Sequence, residues 1–163
     1  MSQDKLTVDP APKVFEDFTL GERLITRGRT VDIGDITNFA GLTGDHYPLH
    51  TDAEYMTSSR FGQRMAHGTL TYALAVGLVA LSNFYGDAIV ALVEIRSLKA
   101  LKPVFPGDTL KVVGEVFQAD ATGPKYGTLG VLYSVRNQRD EEVMNFQQVM
   151  LARRRLDQGA KNG

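Results

Sequence analysis

Side chains that can move protons are concentrated in one short part of this sequence. All three histidines of the chain fall within residues 45–68, where Asp45 and His50 stand five positions apart. Their side chains can meet only if the chain turns between them, and Pro48 favours such a turn. Because an imidazole titrates near neutrality, a carboxylate–imidazole pair can take a proton from a bound water and return it.

The pair His67-Gly68 stands directly before the most apolar stretch of the chain. Residues 69–86 are apolar on nearly every side at helical spacing and rich in small residues, which predicts a buried helix. The first N–H groups of a helix have no partner inside it and lie at its positive end. We therefore predict that the Gly68 N–H binds a developing oxyanion beside the acid/base pair, a combination that indicates an enzyme.

Each of these residues also has a structural interpretation. An aspartate–histidine pair in a loop is most often a simple hydrogen bond, and the nearby start of the Gly68 helix is what favours catalysis. His67, directly before a helix, is a candidate substrate contact or a residue that fixes the turn. His46 and His50 have the i, i+4 spacing of two metal ligands on a helix. Pro48 disfavours a regular helix there and no third ligand is evident, so we expect no metal.

The composition is that of an ordinary globular protein. The chain has 163 residues, 43% hydrophobic and 23% charged, which suits one domain with a sizeable core. A net charge of −1 gives no electrostatic reason to bind nucleic acid or an anionic membrane. Cysteine is absent, which excludes disulfides and a thiol nucleophile and fits a reducing compartment. We see no secretory pattern and no apolar run of spanning length, so we expect a soluble cytoplasmic protein.

We divide the chain into a flexible arm at 1–13, a single domain at 14–156 and a flexible tail at 157–163. Small elements are predicted before the long helix: a strand over 21–30, a helix over 31–44, an irregular segment over 44–50 and a short helix over 51–58. Asp32 is the expected N-cap of the first helix. The spacing of Thr51 and Glu54 is that of a capping box, which predicts the start of the second.

The sequence changes character after Gly86, where runs of β-branched and aromatic residues alternate with turn signals. These runs predict four strands, over 88–101, 108–119, 125–138 and 142–154. A long helix followed by four strands indicates an α+β fold in which a curved antiparallel sheet wraps the helix. Such a sheet has edges that need cover, so we expect a homodimer, or a dimer of dimers, with a continuous sheet.

Two segments of the chain resemble a known family. Residues 39–78, with GDHYPLH and MAHG, resemble the signature region of MaoC-like dehydratases, the (R)-specific enoyl-CoA hydratases, and residues 98–110 resemble that family's second motif. The resemblance implies a hot-dog fold, a dimer, and a thioester substrate carried by coenzyme A or an acyl carrier protein. It also implies that Asp45 and His50 are the catalytic pair and that the Gly68 N–H contacts the thioester oxygen.

One position departs from the family pattern. The family usually reads Asp-x-Asn-Pro-aliphatic-His, and this chain has Tyr47 in place of the asparagine. A tyrosine brings a ring and one hydroxyl where asparagine offers a compact donor and acceptor. The catalytic pair is retained, and Tyr47 becomes either a substrate contact or a packing residue. Since its ring fills space, we expect short or branched acyl groups.

The expected reaction is reversible hydration of trans-2-enoyl-CoA to (3R)-3-hydroxyacyl-CoA, with no cofactor beyond the coenzyme A of the substrate. Three alternatives stay open: a related hydro-lyase acting on a small dicarboxylic acyl-CoA, a thioesterase, and a non-catalytic acyl-CoA-binding module. The dicarboxylic substrate would need a cation, for which Arg64 is the first candidate. Basic residues that could meet the phosphates of coenzyme A are Arg60, Arg64, Lys99 and Lys102.

Overall fold

A long apolar helix packs against one face of a six-stranded antiparallel sheet in the computed structural model, which describes residues 13–155. The helices are α1 Ile33–Thr43, α2 Pro48–Thr51, α3 Ala53–Thr57 and α4 Gly68–Leu81, preceded by a 3₁₀ turn at Phe15–Asp17. The strands are β1 Arg23–Ile25, β2 Arg29–Thr30, β3 Ile89–Ala100, β4 Thr109–Ala121, β5 Tyr126–Arg136 and β6 Glu142–Arg153. Apart from Lys13, the two predicted flexible ends at 1–13 and 157–163 lie outside the described residues.

The sheet has the strand order β1-β4-β5-β6-β3, and β2 pairs with β4 beside β1. Its register shifts between Val116 and Gln118 on β4, and at three places along the pairing of β3 with β6. Such bulges bend a strand and increase its twist, so the sheet can curve around α4. Gly127 on β5 has no side chain because a Cβ there would collide with the ring of Phe15. The predicted α+β architecture is confirmed.

The predicted first strand over 21–30 is wrong in one respect, because it is two short strands, β1 and β2. The Thr26 hydroxyl accepts a hydrogen bond from the Val112 N–H of β4 at 3.0 Å. The Thr26 side chain thus binds the Val112 N–H, which a main-chain carbonyl would have bound if the strand continued. Regular pairing of the strand therefore stops at this point. β4 resumes its pairing with β2 at Arg29.

The irregular segment predicted over 44–50 is confirmed over 44–47 and wrong beyond them, since Pro48 begins the one-turn helix α2. Proline suits the first position of a helix, where its missing N–H needs no partner. Thr51 ends α2, and its hydroxyl donates to the His46 carbonyl at 3.0 Å. The N-cap of α3 is therefore Asp52, whose carboxylate accepts from the Tyr55 N–H at 2.9 Å, and not Thr51 as predicted.

Helix α4 was predicted to be buried on all sides, and the structure buries one face of it. Leu70, Ala75 and Leu78 contribute to the core, whereas Gly77 and Leu81 are exposed, Leu81 by 84%. The reason is that the sheet covers the helix from one side only. No helix among residues 13–155 is both long and apolar enough to cross a bilayer.

Strand β3 lies at an edge of the sheet and pairs only with β6. It is exposed from Val90 to Ala100, although it carries large apolar side chains. Those that are exposed by 42% or more are Val90, Leu92, Val93, Ile95 and Leu98. A long apolar edge is a template for pairing with another strand. This edge supports the expectation of a dimer with a continuous sheet, which stays a prediction.

A charged cluster at the turn between β5 and β6 is expected to make the stability of the fold depend on pH in the acid range. The side-chain amide of Asn137, together with Lys102 and Arg139, lowers the pKa of Glu141 from 4.5 to about 2. A carboxylate with a lowered pKa stabilises the fold above its unfolded pKa, and this contribution is lost as the pH falls toward the folded pKa. We expect stability to fall between pH 4.5 and about 2, and less steeply in Glu141→Gln. Urea unfolding across this range measures the effect, and parallel curves for the two proteins would contradict it.

Candidate active site

Three loops at the beginning of α4 bring the predicted acid/base residues together. Asp45 follows Gly44, which ends α1 in the left-handed conformation with φ 78°. His50 lies on α2, and His67 is the N-cap residue of α4. One carboxylate oxygen of Asp45 and one ring nitrogen of each histidine lie within 4.8 Å of one another. The cluster therefore joins residues from three separate elements.

The ring of His50 is oriented by a main-chain contact. Its Nδ1 lies 2.7 Å from the Met65 carbonyl oxygen. A carbonyl can only accept, so Nδ1 carries the proton and Nε2 of the neutral ring is left as an acceptor. The half-buried His50 thus has one nitrogen fixed by the backbone and the other available for chemistry.

His67 contacts every other part of the cluster. It is only 1% exposed, and its Nε2 donates to the Asp45 carbonyl at 2.9 Å. Its ring stacks on that of His50 with centroids 3.7 Å apart and planes 25° apart, and Phe39 covers it at 5.0 Å. Within residues 13–155, His67 Nδ1 is the one buried side-chain polar atom without a hydrogen-bond partner. Such burial leaves little surface for a direct substrate contact and suits a residue that fixes the turn.

The orientation of the two rings suits one shared water better than one metal ion. The ligand atoms lie no more than 4.8 Å apart, which is within reach of one water, since a water that bonds two groups at about 2.8 Å each can hold them roughly 4.6 Å apart. Two imidazoles on one ion must both aim a nitrogen at a point about 2.0–2.1 Å away. Rings stacked within 25° of parallel do not converge in that way. The predicted role of Asp45 and His50 as an acid/base pair is compatible with this geometry and stays a prediction.

A cavity of about 300 Å³ lies directly beside the cluster. His50, Gly68 and Thr71 line one side of it, and the other side is formed by the loop 100–104 and by Val143 and Met144 of β6. Gly68 is the first residue of α4, so its N–H has no partner within the helix. A Cβ at Gly68 would meet no protein atom within 4 Å. The absence of a side chain leaves the N–H accessible to a ligand.

Tyr47 and Arg64, which were also predicted to bind the substrate, lie outside the wall of this cavity. Tyr47 is 58% exposed and is not part of the cavity wall, and His46 is exposed. Arg64 lines a separate hollow of about 380 Å³, together with Gln63 and Pro106. Roles of Tyr47 and Arg64 in substrate binding stay predictions.

The basic residues predicted to contact the phosphates of coenzyme A also differ in how close they lie to the cavity. Lys102 lines the cavity and pairs with Glu141 at 2.8 Å. Arg60 lies over the ring of Phe61, another residue of the cavity wall, at 4.6 Å. Lys99 lies on the exposed edge strand β3. Two of the predicted basic residues, Arg60 and Lys102, therefore lie close to the cavity.

Several parts of the site have no signal in the sequence. The Met65 carbonyl orients His50, and a main-chain acceptor exists at every residue whatever its type. Val143 and Met144 reach the cavity only because β6 lies beside β3 in the sheet. Phe61 and Thr71 were within the resembling segment, but their spacing alone indicated no role.

The fold is that of a hot-dog protein, and a cluster of one carboxylate and two imidazoles lies at the start of its central helix. A Mycobacterium tuberculosis protein described as having a double hot-dog fold matches 93% of this chain and 46% of its own, with a TM-score of 0.75 at 19% identity. The model of the MaoC like domain matches residues 17–136. The chain belongs to the MaoC-like domain family.

Relatives of known sequence or structure support this membership. YdeM of Bacillus subtilis is 33% identical over 86% of this chain and 99% of its own length. The (R)-specific enoyl-CoA hydratase of Rhodospirillum rubrum is 33% identical over 59% of this chain and 64% of its own. A crystal structure from Archaeoglobus fulgidus, described as a monoamine oxidase regulatory protein, is 34% identical with a TM-score of 0.84, over 88% of this chain and 96% of that one.

Proposed function

We propose that this protein adds water to trans-2-enoyl-CoA thioesters and removes it from (3R)-3-hydroxyacyl-CoA thioesters. The observation that carries the proposal is the spacing of Asp45 and His50, which lie within reach of one shared water, beside the Gly68 N–H and a cavity. A relative with 33% identity is named an (R)-specific enoyl-CoA hydratase, which supports the same reaction class. No external cofactor is needed, because water is the only other reactant.

The proposed step balances within these groups. Asp45 and His50 hold the water, and His50 Nε2 takes one of its protons as the oxygen bonds to the β-carbon of the enoyl group. The π electrons of the C=C bond form a new double bond between the α-carbon and the carbonyl carbon. The carbonyl π electrons move to the thioester oxygen, where the Gly68 N–H and the positive end of α4 stabilise the negative charge. The α-carbon then takes a proton from the pair, and the thioester carbonyl re-forms.

The test is a panel of thioesters followed by chiral analysis of the product. The protein is incubated with trans-2-enoyl-CoA and (3R)- and (3S)-3-hydroxyacyl-CoA compounds, and both the alkene and free thiol are measured. We expect loss of the alkene, a (3R) product and no thiol release. Release of free coenzyme A would support a thioesterase instead, and binding without turnover would support a non-catalytic module. Arg64 lies in a different hollow, so no observation favours the dicarboxylic alternative.

His67 is a positioning residue in this proposal, since it bonds to Asp45, stacks on His50 and precedes Gly68. We expect His67→Phe to lower kcat about 10²-fold with little change in KM, because it keeps an aromatic ring but loses the hydrogen bond to the Asp45 carbonyl. His67→Gln restores a donor near the Nε2 position and should recover much of that loss. Equal kcat values for the two variants would contradict the positioning role.

We also propose that two copies pair through β3. The evidence is its exposed apolar edge, which no element of the described chain covers. Pairing at β3 extends the sheet across both copies and covers an edge that is otherwise open.

A further inference from the structure

Two cavities lie along the same side of α4. The first contains the site, and its wall includes Gly68 and Thr71 on the helix. The second, of about 380 Å³, lies further along the helix. Its wall is mainly apolar and includes Val76, Val79, Leu92 and Met150. Since both cavities lie between α4 and the strands β3 and β6, one continuous channel would result if nothing stood between them.

A hydrogen-bonded tyrosine lines the second cavity, next in the chain to Thr71 of the first. Tyr72 directly follows Thr71, and its hydroxyl accepts from Gln148 Nε2 on β6 at 2.8 Å. Gln148 is 6% exposed, so a buried contact ties the helix to the sheet. The ring of Tyr72 also meets the ring of Phe146 edge to face, with centroids 4.8 Å apart.

Phe146, which Tyr72 contacts, lies between the residues of the two cavities on β6. Met144 lines the first cavity and Gln148 lines the second, while Phe146 lies between them on the same face of β6 and is 1% exposed. Its ring also packs on Tyr133 with centroids 4.9 Å apart, which holds it in place. Tyr72, which contacts both Gln148 and Phe146, therefore lies where the residues of the first cavity end and those of the second begin.

We propose that Tyr72, held by Gln148, limits the acyl group of the substrate to short chains. This inference rests on the proposed hydratase function and names its substrate class. Tyr72 is four positions after Gly68, which is roughly 6 Å along a helix and suits a butenoyl rather than an octenoyl group. A longer chain meets the tyrosine ring before it can use the second cavity.

The test compares kcat/KM for four-carbon and eight-carbon trans-2-enoyl-CoA. We expect the wild type to prefer the four-carbon substrate by about 100-fold or more, since each methylene that does not fit lowers kcat/KM about tenfold or more. Tyr72→Ala joins the cavities and should raise the eight-to-four-carbon ratio at least tenfold. Gln148→Leu keeps the ring but frees it, and should give a smaller rise.

The matched control is Val79→Ala, which enlarges the second cavity without removing Tyr72 and should leave the ratio unchanged. A wild-type protein that turns over both substrates equally, or a ratio unchanged in both Tyr72→Ala and Gln148→Leu, overturns the inference alone. No turnover of any enoyl thioester by wild type overturns the proposed function and this inference with it. If Tyr72→Ala does not fold, the ratio in Gln148→Leu decides.

Discussion

Replacing His50 by alanine is expected to lower kcat for enoyl-CoA hydration by about 10²–10⁴-fold, the usual contribution of a positioned acid or base. Asp45→Asn should have an effect of the same order, since the amide keeps the shape of the carboxylate but cannot accept a proton. The reason is that the proposed mechanism has both side chains hold the same water, and their polar atoms lie within 4.8 Å of each other. Steady-state rates of alkene loss, with circular dichroism to check the fold, measure both effects.

The chain offers a matched control for this experiment. His46 is the same residue type, four positions before His50, and is exposed outside the cluster. His46→Ala should therefore retain a near-normal kcat. The mechanism is contradicted if His50→Ala keeps comparable activity, or if the loss in the His46 variant is as large as in the His50 variant.

Gly68→Ala is expected to lower kcat/KM by about 10²–10³-fold, similar to the loss of one oxyanion donor. A Cβ at position 68 meets no protein atom within 4 Å, so the variant should fold normally. The methyl group would instead stand in the cavity, where the thioester oxygen must approach the N–H. Thermal unfolding and kinetics of the same preparations separate the effect on activity from any effect on stability.

Gly77→Ala makes the identical change nine residues further along α4. A Cβ there also meets nothing within 4 Å, and the residue is exposed. This control should keep full activity and gain a little stability, about 0.5–1 kcal/mol, since alanine favours a helix over glycine. An equal loss of activity in both variants would show that position 68 has no special role.

The large elements of this fold could be predicted from the sequence because each has a local cause. Helix α1 has its capping residues at Asp32 and Asp35, and α4 begins at a glycine before a long apolar run. The small elements could not, because their ends depend on partners far away. Thr26 stops its strand by binding Val112, which lies 86 positions away in the chain.

The same distinction applies to the site. The meeting of Asp45 and His50 followed from their spacing around Pro48, but the contact of His67 with both of them did not. That contact depends on how α1 and α4 pack, which no local pattern records. Arg64 is near the motif in sequence but lies in a different hollow in space, and its role in substrate binding stays a prediction.

Both imidazoles of the centre are anchored by main-chain oxygens, His50 by that of Met65 and His67 by that of Asp45. A carbonyl persists under any substitution, so the side chain at position 65, which borders the cavity, can diverge without releasing the ring. Insertions between residues 50 and 67 are different, because they would displace the oxygen itself. The site should therefore tolerate substitutions at position 65 better than changes in the length of the segment between residues 50 and 67.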